Sequence, residues 1–259
     1  MIRLILCDID GTLLHGSETE LDPRYFDEIK RLRKKGILFA PATGRQYFGV
    51  RQLFAPVADE IYCLSENGTA IFSPEDGGTL LASFPLDPED ARSICRDAIA
   101  IPRCRFLATA PRSSYALEGY TEPVDHLVKL ETRHFDVVPT LDELPADVCK
   151  ISLFCMDGLE ATHAVEDILT PRYRDRYNIA IAGTWWLDFT TGSKAKGAEL
   201  LCDRLGIGFS EVMAIGDNYN DADLLALAGR GYIMENAEQP LKDRFPLHCE
   251  NVLELLQTL

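Results

Sequence analysis

The chain opens on a segment that leaves its fold few choices. Residues 2–7 are mostly Ile and Leu, with no Pro or Gly among them. A strand apolar on both sides must be covered on both faces, as in the interior of a parallel sheet. Two carboxylates, Asp8 and Asp10, follow at once, and Gly11 lets the backbone turn away behind them. Strand side chains repeat with period two, so an extended end would project both carboxylates to one side. Like charges that close repel unless a cation sits between them or one carries a proton. A lone Asp-x-Asp is more often a solvated turn than a site, so the rest of the chain has to decide.

Strand and helix patterns alternate after this start. An apolar stripe at Phe26, Ile29 and Leu32 marks a helix over 23–35, stopped by Gly36. A strand is expected at 37–42, a helix at 45–54 and a strand at 60–64, which together read as βαβ units of a parallel sheet with helices on both faces. Segments 69–72 and 80–84 flank turn residues Pro74, Gly77 and Gly78 and predict a hairpin. From 86 to 183 helices (88–99, 159–169) and strands (104–108, 150–155) mix irregularly between proline-bearing loops, the pattern of an α+β insert. Sheet-like alternation then resumes: a helix at 193–205, a buried strand at 212–215, a helix at 220–228, a strand at 232–234 and a last helix at 252–256. The expected fold class is therefore α/β, with a parallel-sheet core from residues 1–85 and 184–259 and an inserted α+β domain at 86–183.

A chain of 259 residues, 46% hydrophobic, can bury a substantial core in one or two domains. Its formal charge of −15 argues against nucleic acid or an anionic membrane as partner, since both attract cationic surfaces. It does not exclude a small anionic substrate held by local cations. The eight cysteines are scattered, with no Cys-x-x-Cys pair. They suit buried thiols in a reducing compartment, and with no leader-like or membrane-spanning stretch they place the chain in the cytoplasm. The five histidines show no metal-ligand spacing and are expected to be structural. The basic and aromatic run at 171–177 has the style of a single-strand platform, but a solvated connection suits an acidic chain better. Trp185 and Trp186 are expected to pack in a core, with substrate stacking as the lesser alternative.

Four separated signals fall at expected strand ends, where open α/β sheets place ligands. They are Asp8/Asp10; Thr43-Gly44-Arg45, a hydroxyl and a glycine leading into a helix N-terminus suited to anions; Lys194 and Lys196 in the first turn of a helix, where they oppose its dipole; and Gly216-Asp217-Asn218-Tyr219-Asn220-Asp221, rich in hard oxygen ligands. In that order the chain resembles the haloacid dehalogenase superfamily of aspartyl-nucleophile phosphatases. Its Asp-Ile-Asp-Gly-Thr-Leu, Thr-Gly-Arg, Lys-Gly and Gly-Asp-x-x-Asn-Asp runs are similar to that family's four motifs. Asn67-Gly68 and Met234-x-Asn236-Ala237 extend the likeness, and the large insert resembles the Cof-type members (subfamily IIB, C2 cap).

The resemblance implies a three-layer Rossmann-like core, a cap that closes over the site and selects the substrate, and a Mg²⁺-dependent phosphatase acting on small-molecule phosphate esters, sugar phosphates first. It makes Asp8 the nucleophile and Asp10 the general acid and base. Thr43, Gly44 and Lys196 would hold the phosphoryl group with help from Asn220. Mg²⁺ would be bound by Asp8, Asp217 and the main-chain carbonyl of Asp10, with Asp221 supporting them. Either lysine could face the phosphate; the Lys196-Gly197 pairing favours Lys196. The segment 248–252 departs from the family's usual C-terminal pattern. A phosphomutase of the same fold, or a phosphate-binding module without turnover, remains an alternative, the second disfavoured by intact Asp8 and Asp10.

Overall fold

The apolar run that opens the chain is β1 (Leu4–Cys7), every residue of it buried. In the computed structural model, which describes residues 1–127 and 134–259, it is followed by α1 (Arg24–Lys34), β2 (Leu38–Pro41), α2 (Tyr47–Leu53), β3 (Cys63–Ser65), β4 (Ala70–Phe72) and β5 (Leu80–Ser83). Next come α3 (Pro88–Ala100), β6 (Cys104–Thr109), β7 (Ser114–Leu117), α4 (Glu122–Leu127), β8 (Phe135–Val138), β9 (Lys150–Cys155), α5 (Leu159–Tyr173), β10 (Asn178–Ala182) and β11 (Trp186–Thr190). The chain ends with α6 (Lys194–Leu205), β12 (Val212–Gly216), α7 (Ala222–Leu227), β13 (Arg230–Met234), α8 (Gln239–Lys242), β14 (Leu247–Cys249) and α9 (Val252–Gln257). These elements fall into two units, Met1–Ala82 with Ser193–Leu259, and Ser83–Gly192.

The first unit is built on a five-stranded sheet of order β14-β13-β12-β1-β2, parallel throughout. β1 lies between β12 and β2 in level register, with Cys7 beside Ile215 on one side and Pro41 on the other. The carboxyl ends of three strands therefore meet at one edge. Its core joins Ile5, Cys7, Phe39, Met213 and Ile215 to Ile29 and Leu32 of α1 and Leu253 and Leu256 of α9. β3 is not the simple fourth parallel strand that residues 60–64 suggest. It sits antiparallel to β4 in a three-stranded sheet of order β3-β4-β5. Tyr62 still donates to the Phe39 carbonyl and Thr43 to that of Leu64. Between them stands Pro41, which has no N–H to donate, so the ladder along β2 is interrupted.

The second unit has a six-stranded sheet, β10-β11-β9-β6-β7-β8, antiparallel except for the parallel β7–β8 pair. Its own core packs Ile94 and Ala98 of α3 and Leu169 of α5 on Phe106, Leu153 and Phe189. The expected boundary at 183/184 is corrected here. Gly183, at φ +69°, is the turn of the β10–β11 hairpin, and β11 pairs with β9 inside this unit. The run at 171–177 likewise differs from a solvated connection. Tyr173 and Tyr177 are buried in the unit's core, and Arg172 and Arg176 pair with Asp97 and Asp90. No helix among the described residues is long and apolar enough to cross a membrane. All eight cysteines are free and buried.

Candidate active site

The sheet pairing runs one residue past β1: Asp8 donates its amide to the Ile215 carbonyl at 2.9 Å, which carries its side chain to the carboxyl edge of the sheet. Lys194 Nζ donates to Asp8 Oδ1 at 2.5 Å and to Asp221 Oδ1 at 2.7 Å. The lysine side chain is only 1% exposed. Asp221 Oδ2 accepts from the amides of Asp217 and Asn218, at 3.2 and 3.1 Å, and so shapes the loop that follows β12. Thr12 donates its hydroxyl to Asp217 Oδ1 at 3.3 Å. Gly11 makes this approach possible: its φ is +87°, and a Cβ there would lie 2.1 Å from Asp217 Oδ2.

Three carboxylates around one ammonium leave an excess of negative charge. Burial, joined by Asp221 and Asp217, pushes the Asp8 carboxyl up to about 8 although Lys194 opposes the shift. Asp217 is raised by burial and by Asp221. Burial works against the Lys194 charge, but Asp221 and Asp8 outweigh it and hold the ammonium above its usual range.

Asp10 does not share this pocket. Its carboxylate is 57% exposed and gripped by the Arg45 fork, Nε to Oδ2 at 2.9 Å and an η-nitrogen to Oδ1 at 2.6 Å. The period-two expectation fails because Gly11 turns the chain and Asp10 pairs only in an isolated bridge with Leu14. Thr43 is buried at the end of β2, with its Oγ1 accepting from the Arg45 amide at 3.2 Å. α2 starts only at Tyr47, so Thr43 and Gly44 lie in a loop and not at a helix N-terminus. Asn67 closes this side. Its amide donates to the Thr43 carbonyl at 2.8 Å, and its Oδ1 accepts from Asn220 at 3.1 Å and lies 3.3 Å from where a Gly44 Cβ would be.

The two lysines separate cleanly, and the placement of Lys196 has to be corrected. α6 buries Lys194, Ala195, Gly197, Ala198, Leu201 and Cys202, while Lys196 is exposed. A helix advances about 100° per residue, so positions two apart face away from each other. Gly197 has another duty. Its Cβ would fall 2.7 Å from the Gly68 carbonyl, and one on Gly68 would meet the Ser193 carbonyl at 2.5 Å. The two glycines let the start of α6 rest on the Asn67 turn, which seats Lys194. Sequence reasoning also passed over Thr12, Asn67, Arg45 as the partner of Asp10, and Asn236, which donates to the Gly11 carbonyl at 2.8 Å. Each lay inside a noted run, yet its partner is remote in sequence.

Residues 5–252 match the haloacid dehalogenase-like hydrolase family. The chain belongs to this family. It is 28% identical over 244 residues to the 5-amino-6-(5-phospho-D-ribitylamino)uracil phosphatase YbjI of Escherichia coli K12, spanning 91% of this chain and 86% of that protein. It is 29% identical to the HMP-PP phosphatase of Cronobacter sakazakii over 95% of this chain and 89% of that one. A crystal structure from Eubacterium rectale superposes with a TM-score of 0.87 at 30% identity, covering 99% of this chain and 98% of the other. A haloacid dehalogenase-like hydrolase from Bacteroides thetaiotaomicron shares the fold with a TM-score of 0.84 at 24% identity, over 100% of this chain and 99% of that one. Like these phosphatase relatives, the chain is a phosphoric monoester hydrolase.

A haloacid dehalogenase-like hydrolase of this kind is expected to hold Mg²⁺, and the donor set fits. Oxygens of Asp8, Asp217 and Asp221 lie within 4.8 Å of one another, all of them hard ligands. Both Asp221 oxygens are already committed to Lys194 and to main-chain amides. Asp8 and Asp217 are therefore the better ligands, with Asp221 behind them. The Asp10 carboxylate is outside the group, which leaves only its main-chain carbonyl for the role expected of it.

Proposed function

We propose that this hydrolase removes phosphate from small phosphorylated metabolites, with Asp8 as nucleophile and Mg²⁺ held by Asp8 and Asp217. The observation that carries the reading is the buried Asp8–Lys194–Asp221 contact at the carboxyl edge of β1. A carboxylate placed against a fixed ammonium is oriented for attack, and the same ammonium is placed to meet an incoming phosphoryl oxygen. Asp8 attacks phosphorus and the ester oxygen leaves, giving an aspartyl-phosphate that water then hydrolyses. Asp10 gives the leaving oxygen its proton and later takes one from water. To do so it gives up one of its two bonds to Arg45, which also fixes where that oxygen stands. Thr43, through the Oγ1 that accepts from the Arg45 amide, and Asn220, which donates to Asn67, would border the phosphoryl group, while Gly44 lets Asn67 approach closely. Mg²⁺, when bound, offsets the repulsion between carboxylate and phosphate.

The substrate class rests on the relatives, one of which is named for a phosphorylated ribitylamino-uracil and another for HMP-PP. Within the second unit, His126, Phe154, Trp185 and Trp186 form an aromatic group with ring centroids 4.7 to 6.0 Å apart, and Trp185 is 40% exposed. Ring-bearing esters belong beside sugar phosphates among the candidates, since the first of these relatives is named for a uracil derivative. The test is phosphate release across a panel of both kinds with Mg²⁺, run beside Asp8→Asn. Turnover of at least one ester by the parent, absent in the variant, supports the reading. Equal release by both proteins overturns it.

A further inference from the structure

β6 and β9 are antiparallel neighbours in the second unit's sheet, and Cys104 stands directly opposite Cys155. This rung spends no main-chain hydrogen bond between the two strands at either cysteine. Cys155 donates its amide the other way, to Trp185 at 2.7 Å, and Cys104 donates to Ile101 at 3.1 Å. The cross-strand bond falls on the next rung, where Met156 donates to Arg103 at 3.1 Å. On non-hydrogen-bonded rungs the Cα atoms are about 4.5 Å apart and side chains approach closest. That spacing lies at the near end of the roughly 4.4–6.8 Å range that a disulfide spans. The two thiols are close enough to shift one another's ionisation, while the Cys104 thiol itself donates to the Arg105 carbonyl at 3.8 Å. Across their ladders the other strand cysteines stand opposite residues that are not cysteine: Cys7 opposite Ile215 and Pro41, Cys63 opposite Phe72 and Cys249 opposite Met234.

We infer that Cys104 and Cys155 form a reversible disulfide, making this rung a redox-modification site carried by the second unit. The neighbouring Cys104 thiol lowers Cys155 to about 7 against the opposing effect of burial, so Cys155 is the attacking thiolate. Both sulfurs are buried, but Cys104 opens β6 and Cys155 closes β9. The turn beside them is held by Arg103, in the left-handed region at φ 58° and paired with Asp157 at 2.6 Å on the surface. Fraying of one strand end, with no loss of the sheet, suffices to admit a small oxidant. With a peroxide, the Cys155 sulfur bonds to one oxygen as the O–O bond breaks, and the departing hydroxide takes a proton to become water. Cys104 then attacks the sulfenic sulfur, S–O breaks, and the Cys104 proton leaves with the hydroxyl as a second water. Two thiols and one peroxide thus give one disulfide and two waters.

The test treats the folded full-length protein with hydrogen peroxide, alkylates it under denaturing conditions and maps its peptides without reduction. The expected result is a loss of about 2 Da, one cross-linked peptide pair carrying Cys104 and Cys155, full alkylation of the other cysteines, and reversal by dithiothreitol. Cys104→Ser should abolish the cross-link and leave a dimedone-reactive sulfenic acid on Cys155. If that variant does not fold, the parent's peptide map decides alone. Recovery of both cysteines in alkylated form after exhaustive oxidation overturns the inference. So does a cross-link that forms only in denaturant or involves a different cysteine.

Discussion

Alanine substitutions at the two lysines of α6 should have opposite outcomes, and the structure sets the scale of each. Lys194→Ala removes hydrogen bonds of 2.5 and 2.7 Å to two carboxylates and leaves both buried without their cation. Breaking a buried pair by removing one partner costs about 3–5 kcal/mol. Part of this appears as lost stability, a large share of the 5–15 kcal/mol typical of a domain. Loss of a preorganised group facing the reacting centre lowers kcat by about 10²–10³. Lys196 is exposed, and a surface substitution typically changes free energies by less than about 0.5 kcal/mol, near twofold in rate. The assay is kcat/KM for phosphate release from one ester, with urea unfolding of each variant to separate stability from chemistry. Lys194→Met keeps the length of the side chain without its charge and serves if the alanine variant does not fold. Near-parental activity in Lys194→Ala and Lys194→Met with a large loss in Lys196→Ala would refute the assignment.

Exhaustive chelation should abolish phosphate release, and Mg²⁺ should restore it, because the clustered ligands are all carboxylate oxygens; undiminished turnover in metal-free buffer counts against the Asp8–Asp217 site. Gly197→Ala should cost about 1–3 kcal/mol through overpacking, since its Cβ would sit 2.7 Å from the Gly68 carbonyl. Activity should fall with it as Lys194 is displaced, and a urea melt and rate equal to the parent's would show that the α6 contact yields freely. Replacing Ser83–Gly192 by a short flexible linker should leave the first unit folding cooperatively, because its core cluster draws on none of the described residues of that segment; a chain without a cooperative melt contradicts this.

Much of the fold was legible because the strands near the site are buried on both faces and read as continuous apolar runs. Where expectation and structure part, a local cause can be named. The ladder beside β2 is interrupted at Pro41, whose missing N–H is visible in the sequence. The unit boundary hid because Gly183 resembles the end of an insert and is a hairpin turn. Lys194 was legible too: Ala198, Leu201 and Cys202 mark the buried stripe of α6, and counting back four residues from Ala198 reaches Lys194. The Lys196-Gly197 dipeptide pointed elsewhere because the glycine answers to packing on Gly68. The Arg45–Asp10 and Asn220–Asn67 pairs could not be read in advance, since each joins side chains that only the tertiary fold brings together.

The central claim, that Asp8 carries the phosphoryl group, is tested most directly by trapping it. Asp10→Asn should slow breakdown of the intermediate more than its formation once a good leaving group is supplied. Acid-quenched turnover of this variant with p-nitrophenyl phosphate, followed by peptide mass spectrometry, should show an adduct of about 80 Da on the Asp8 peptide. Borohydride reduction of the quenched sample should convert Asp8 itself to homoserine. Steady phosphate release by the parent with the adduct on another residue, or with none in either protein, would contradict the account.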